Sequence, residues 1–444
     1  MSHIKNTKKL AKTALRKKAL QIVEAGYAAI EIQTAIKSRI TVAKGVLTVR
    51  VFDKKAEDVR IDLNDYKRVF LVGIGKGSAL ATVAVARVLG KHLTKGIALD
   101  VEKPNFKFKI SNLKLLTGTH PLPSPKNVAA TQKIMHMVRD LNTDDLVIVF
   151  MCGGGSALAV ASDDELQAST TVFKELTKAG ANIIELNTVR KHVSDIKGGN
   201  LAKAIHPATL LTLMASDVIG NDMEMIASGP TILDTTTKAG AEAILKKYGV
   251  SKKGISLKET PKEGRYFKNA KNVLFVSNSD AVRAMADMAK RLGLKAKVKT
   301  LIFEGEAKHA LVPIVRTIKK GEAILLGGET TVTLSDVPAG KKPGKGGRNQ
   351  EVALGVIAAC EAMPERLADI VAISYASDGH DNSDAAGAIA DGYALKAAKR
   401  AGQSAGEALA LHASFSFFEK SGNLIQVKNK SFNVADLMLV IRGE

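Results

Sequence analysis

Short, wholly apolar runs alternate along this chain with stretches of helical spacing. The runs fall at 68–72, 146–151, 210–215, 272–276, 298–303, 323–326, 370–375 and 437–441. An apolar run without polar alternation suits a strand buried on both faces, and the helical stretches between runs supply crossovers. The pattern predicts an α/β fold with a mostly parallel sheet covered by helices. Near the start, Leu15, Ala19, Ile22, Val23, Tyr27 and Ile30 keep helical spacing and predict a core-packed first helix, with Gly26 a weak point in it. A chain of 444 residues exceeds one ordinary core, so two domains are expected. The Lys/Gly-rich, aliphatic-poor stretch 251–271 suits a linker or domain edge, and the division is placed at 1–245 and 246–444.

Composition narrows the function classes. Hydrophobic residues at 45% and charged residues at 25% exclude global disorder. Two cysteines, Cys152 and Cys360, make neither a disulfide framework nor a zinc site and fit a reducing compartment. The net charge of +21 first suggests nucleic acid. The basic residues are scattered, however, and no run interleaves them with aromatics, so a general Lys excess that attracts small anions is the better reading. The longest apolar stretch, 146–161, is interrupted by GGGS and is too short to span a membrane. Seven Lys/Arg and no acid in the first 23 residues raise a mitochondrial transit peptide. Only Arg16 among them is arginine, and the apolar spacing is that of a core helix, so a cytoplasmic protein is expected.

Several predicted strands end directly in Gly or acidic clusters: GIGKGS at 73–78, CGGGS at 152–156, SDVIGND at 216–222, GGETT at 327–331 and SDGHDNSD at 377–384. Ligands of open α/β sheets sit outside the carboxyl ends of strands, so these ends mark one edge as a site. Gly73 and Gly75 let backbone approach an anion, the following helix offers free N–H groups, and Lys76 adds a full charge. Asp100, about 20 residues on, keeps a dinucleotide reading open, although Ser78 replaces the third Gly of that fingerprint. Gly153, Gly154 and Gly155 can form a nest of N–H groups for phosphate, with Ser156 as a hydroxyl donor. In NTVRKHVSDIKGGNLAKAI, Arg190, Ser194 and Lys197 share one helical face beside Lys191, as an anion clamp or a solvated face.

Acids complete the picture. Asp217 and Asp222 follow a strand and suit metal binding or orientation of a hydroxyl. Glu329, Asp378 and Asp384 are further metal candidates, and the SDGHDNSD spacing fails the EF-hand pattern. Arg348 and Asn349 open a helix after the flexible Gly-rich loop 344–347, where a planar guanidinium suits bidentate contact with phosphate or carboxylate and Asn349 is a substrate-binding candidate.

Taken together these stretches resemble the class II glycerate 2-kinases, the family with a C-terminal MOFRL domain. The motifs run in order over most of the chain: GIGK at 73–76, GTHPLP at 118–123, CGGGSAL at 152–158, NTVRKHVSDIKGGNLA at 187–202, SDVIGNDMEMIASGPT at 216–231, GGETTVT at 327–333, GGRNQE at 346–351 and SDGHDNSDAAGA at 377–388. The resemblance implies two α/β domains, the first Rossmann-like, with an active-site cleft between them. It implies ATP- and Mg²⁺-dependent phosphorylation of D-glycerate at the 2-hydroxyl. By motif it places catalysis on Lys76, Asp217 and Arg348, and the carboxylate of a small hydroxy acid would need a cation such as Arg190, Lys191 or Lys197. The chain departs from the family at Cys152, Ile219, Asn221, the DGHDNSDAAG stretch and the loop KSFNVADL at 430–437. The alternatives are a kinase of another small hydroxy acid, an NAD(P)H-dependent hydroxypyruvate reductase and a nucleic-acid-binding protein. A homodimer is left open.

Overall fold

The computed structural model describes residues 2–51, 57–104, 109–334, 337–338, 340–428 and 430–444. It divides into two compact units, Ile32–Phe275 and Met1–Glu31 with Val276–Glu444.

In the unit Ile32–Phe275 a six-stranded sheet has the order Leu113–Thr117, Leu93–Asp100, Arg68–Ile74, Asp145–Met151, Thr209–Ala215, Ala270–Val276. Pairing is parallel across the first five. The central strand Asp145–Met151 is buried throughout, as its unbroken apolar run requires. From Arg68–Ile74 the chain lays two strands on one side, then returns to place Asp145–Met151 on the other. The carboxyl ends of these two strands are therefore a topological switch point, where such sheets form a crevice. A small antiparallel sheet, Ile40–Ala43, Val46–Val49 and Val59–Asp62, is not predicted from the pattern because its runs are only four residues long. Its first hairpin turns at Lys44 and Gly45, both at positive φ (51° and 83°), as a two-residue turn demands.

The other unit holds a second six-stranded sheet, in the order Lys295–Glu306, Glu322–Thr331, Asp436–Arg442, Ile370–Ala376, Gly387–Asp391, Leu424–Ile425. This sheet is mixed rather than mostly parallel. The last long strand, Asp436–Arg442, runs antiparallel between Glu322–Thr331 and Ile370–Ala376.

The units divide at 31/32 and 275/276. Packing explains both borders. The first helix, Ala14–Ile30, is core-packed as expected, but its partners lie far along the chain. Arg16 is fully buried and bonds the Asp391 carboxylate at 2.5 and 2.6 Å, and Tyr27 donates to the Ala376 carbonyl at 3.1 Å. Gly26 is a contact rather than a weak point, since a Cβ there would lie 2.6 Å from the Tyr375 hydroxyl. The stretch 251–271 is tied to the unit Ile32–Phe275: Lys258 N–H donates to the His192 carbonyl at 2.7 Å and Lys262 reaches the Asp234 carbonyl at 2.8 Å. No helix among the described residues is long and apolar enough to cross a membrane.

Candidate active site

Two turns meet at the switch point. After Arg68–Ile74 comes Gly75, at φ +115°, whose Cβ position lies 2.3 Å from the Cys152 carbonyl oxygen, so only glycine lets the turns touch. Lys76 N–H then donates to the Gly153 carbonyl at 2.9 Å. The Lys76 side chain lies across the second turn, within 3.2 Å of the Cβ position of Gly154. It is half-buried and makes no ion pair among the described residues. The amides of Gly153, Gly154, Gly155 and Ser156 donate to no backbone carbonyl among the described residues, and Gly154 is left-handed at φ +78°. Asp217, just past Thr209–Ala215, closes the other side: its Oδ2 lies 1.8 Å from the Cβ position of Gly153. Burial pushes the Cys152 thiol well above its usual range, which makes it a packing residue.

Gly73 and Gly75 serve this packing. Gly73 is filled by the Thr82 hydroxyl, 2.1 Å from its Cβ position. The N-terminus of the helix Ser78–Leu89 is already occupied by an anion, the carboxylate of Asp100, which accepts from Ala79 N–H at 3.0 Å and Val101 N–H at 2.7 Å. Burial raises the Asp100 carboxyl against the pull of those donors. Held there at 2% exposure, Asp100 is not available to a ribose.

The segment 187–199 separates three cations that the sequence leaves equivalent. The helix is Ile183–His192, so Ser194 and Lys197 lie beyond it and share no helical face with Arg190. Lys191, 3% exposed, pairs with Asp234 at 3.0 Å and Glu224 at 3.3 Å. Lys197, fully buried, pairs with Glu165 at 2.7 Å and bonds the Ala159 carbonyl at 2.6 Å. Both are structural cations. Arg190 stays half-buried, over the Phe173 ring at 5.2 Å. Its Nη1 meets Asn187 Oδ1 at 3.4 Å, and burial alone pushes its pKa down to about 10.

Three residues here escape sequence reasoning. Ser228 and Ala227 sit at positive φ (60° and 52°), and Ser228 Oγ is 2.8 Å from Ser156 Oγ while donating to Asn187 Oδ1 at 3.1 Å. His120 meets the Cβ position of Gly154 at 3.2 Å. The residue as a whole is exposed, but partial desolvation of its imidazole, then Lys76 and Arg190, push its pKa down to about 4, so it is neutral at physiological pH.

In the other unit Arg348 opens the helix Arg348–Ala359 and is held by two acids. Its Nε and Nη2 donate to Asp436 at 2.6 and 3.1 Å, and Nη1 donates to Glu329. Burial opposes its charge, but Asp436, Glu329 and Asp381 together raise its pKa. The loop before it is not free: Gly344 N–H donates to the Leu411 carbonyl at 2.7 Å, Phe415 N–H to Lys345 at 3.0 Å, and Asn382 to Gly346 at 2.9 Å. Asn349, expected to touch substrate, is buried with Nδ2 on Asp436 at 2.8 Å and Oδ1 accepting from Ser374 at 2.6 Å. Asp381 caps the helix through Gln350 N–H at 2.8 Å and Asn349 N–H at 3.1 Å, and burial pushes its pKa up to about 6.

The metal candidates do not assemble. Among the described residues no three His, Cys, Asp or Glu side chains form a metal cluster. Asp222 is an exposed turn acid accepting from Glu224 N–H at 2.9 Å, and Glu329 pairs with Arg348. Asp378 accepts from His380 N–H at 3.0 Å, and Asp384 is exposed.

Comparison with known proteins agrees with this architecture. A family described as a domain of unknown function, DUF4147, matches residues 18–257, and the MOFRL family matches 322–436. A D-glycerate 2-kinase of Thermotoga maritima is 33% identical over 409 residues, 88% of this chain and 94% of that protein. A protein of Agrobacterium vitis named as a hydroxypyruvate reductase is 35% identical over 395 residues, 85% of this chain and 87% of its own. The crystal structure of a glycerate kinase from Thermotoga maritima superposes with a TM-score of 0.80 at 31% identity, covering 96% of this chain and 99% of the other. A parallel α/β unit with a glycine-lined, cation-bearing switch point, followed by a MOFRL unit, defines the class. The chain belongs to the class II glycerate kinase family.

Proposed function

We propose that this protein is an ATP-dependent glycerate 2-kinase that transfers the γ-phosphoryl group to the 2-hydroxyl of D-glycerate, giving 2-phosphoglycerate and ADP. The observation that carries the reading is the meeting of Lys76, the amides of 153–156, which donate to no backbone carbonyl among the described residues, and the Asp217 carboxylate at one switch point. Phosphoryl transfer needs positioning and charge neutralisation more than covalent work by the protein. The amides at 153–156 receive phosphate oxygens, and Lys76 stabilises charge that builds on the transferring group. Asp217 lies against this turn and accepts the proton of the attacking hydroxyl or holds Mg²⁺. Mg²⁺ is bound by one or two carboxylates with substrate phosphates and water, so the Asp217 carboxylate against Gly153 fits it without a protein cage. When bound, the ion would neutralise phosphate charge. Arg348 is the basic residue assigned to catalysis in the second unit, prepared by Asp436 and Glu329.

The reductase alternative needs an acid to hold a nicotinamide ribose, and burial of Asp100 at a helix N-terminus speaks against it. NMR of the product from ATP, Mg²⁺ and D-glycerate tests the proposal. Formation of 2-phosphoglycerate supports it. No ADP with D-glycerate but turnover of another hydroxy acid moves the substrate, and oxidation of NAD(P)H by hydroxypyruvate without coupling enzymes replaces the reading.

A further inference from the structure

We propose that Arg190 is the specificity residue for the acid substrate, binding its carboxylate beside the glycine turn. The inference rests on the kinase reading for the identity of that acid, but its physical basis is independent. Of the three cations in this segment, Lys191 and Lys197 are neutralised by Asp234, Glu224 and Glu165. Arg190 makes no ion pair among the described residues, and burial lowers its pKa. A half-buried guanidinium with donors left over favours an anion that accepts them, and a planar carboxylate matches its fork.

Position supports the same role. Asn187 Oδ1 accepts from both Arg190 Nη1 at 3.4 Å and Ser228 Oγ at 3.1 Å, and Ser228 meets Ser156 at 2.8 Å. A polar chain thus runs from Arg190 to the glycine turn. At that turn Lys76 and His120 both lie 3.2 Å from the Cβ position of Gly154. The packing of Ser228 and Ala227 at positive φ shows that this neighbourhood is held against backbone preference. In a 2-hydroxy acid the reacting hydroxyl is on the carbon next to the carboxylate. An anchor on the carboxylate therefore selects acids that carry a neighbouring hydroxyl and rejects uncharged polyols.

The anion could come from the substrate carboxylate or from a nucleotide phosphate, and separate titrations distinguish them. Arg190→Met keeps the stem over Phe173 and removes the charge. We expect its KM for D-glycerate to rise about 10²-fold, with kcat at saturation and KM for ATP within about threefold. Calorimetry should show D-glycerate binding lost and MgADP binding kept, and Arg190→Lys should recover only part of the affinity. A fall in MgADP affinity with unchanged D-glycerate binding overturns the proposal in favour of a phosphate anchor. Unchanged constants for both ligands return Arg190 to a structural role. If Arg190→Met does not fold, Arg190→Gln is read by the same criteria. Wild-type protein that binds D-glycerate through Arg190 but forms no ADP defeats the kinase reading and leaves this one standing.

Discussion

Gly153→Ala should disable Asp217 without touching it chemically. The added Cβ would lie 1.8 Å from Asp217 Oδ2 and 2.5 Å from its Cγ. Ordinary carbon–oxygen contact requires the carboxylate to withdraw by about 1.5 Å. A displacement of about 1 Å at a reacting group is worth about 10²-fold in rate, or about 2.7 kcal/mol of barrier. Gly153 has no left-handed φ, so alanine brings no backbone strain and the melting temperature should move little. Turnover with saturating ATP and D-glycerate is the assay, run beside Asp217→Asn and the double variant. If the methyl acts through Asp217, the double variant should be no more than about threefold slower than Asp217→Asn alone, because the two changes remove one function. Penalties that multiply, or an alanine variant with full turnover, would refute the assignment.

Other expectations separate chemistry from architecture. Lys76→Ala should lower turnover by about 10²-fold with the fold intact, since Lys76 supports no ion pair; circular dichroism and initial rates check both parts. Arg348→Met should lose turnover and also melt earlier, because Asp436, 1% exposed in its side chain, is left with a charge and no cation. Gly75→Ala should lower the melting point sharply, through φ +115° and the clash with the Cys152 carbonyl. Asp381 has a folded pKa of about 6, above its unfolded value of about 3.9, so ionisation favours unfolding as pH rises. The stability advantage of wild type over Asp381→Asn should therefore shrink between pH 4 and 6 and level off above; an advantage that grows with pH contradicts it.

Much of the first sheet was legible because its strands are buried on both faces, and continuous apolar runs such as 146–151 mark them directly. The glycine turn at 153–155 could be read for the same reason, since it follows such a run without interruption. What could not be read depends on partners distant in sequence. Arg190, Lys191 and Lys197 look alike until Glu165, Glu224 and Asp234 fold against two of them. Arg348 seemed mobile among glycines, yet Asp436, at the start of the last strand, fixes it. His120 carries no signal in its own motif, because its role is set by the turn and cations it meets. Local composition marks loops, whereas the compact units also depend on which core the helix Ala14–Ile30 joins.

That helix has a consequence during synthesis. Ala14–Ile30 is made before Ile32–Phe275, but the surfaces that bury Arg16, Tyr27 and Ile30 follow the whole of that unit. At ordinary translation rates the delay is roughly 10–50 s. The inserted unit has all its strands early and can fold as it emerges, while the nascent amphipathic helix waits with its apolar stripe uncovered. A ribosome stalled after Phe275 would thus carry one finished unit and one orphaned segment, and that segment is where a chaperone would find its binding site.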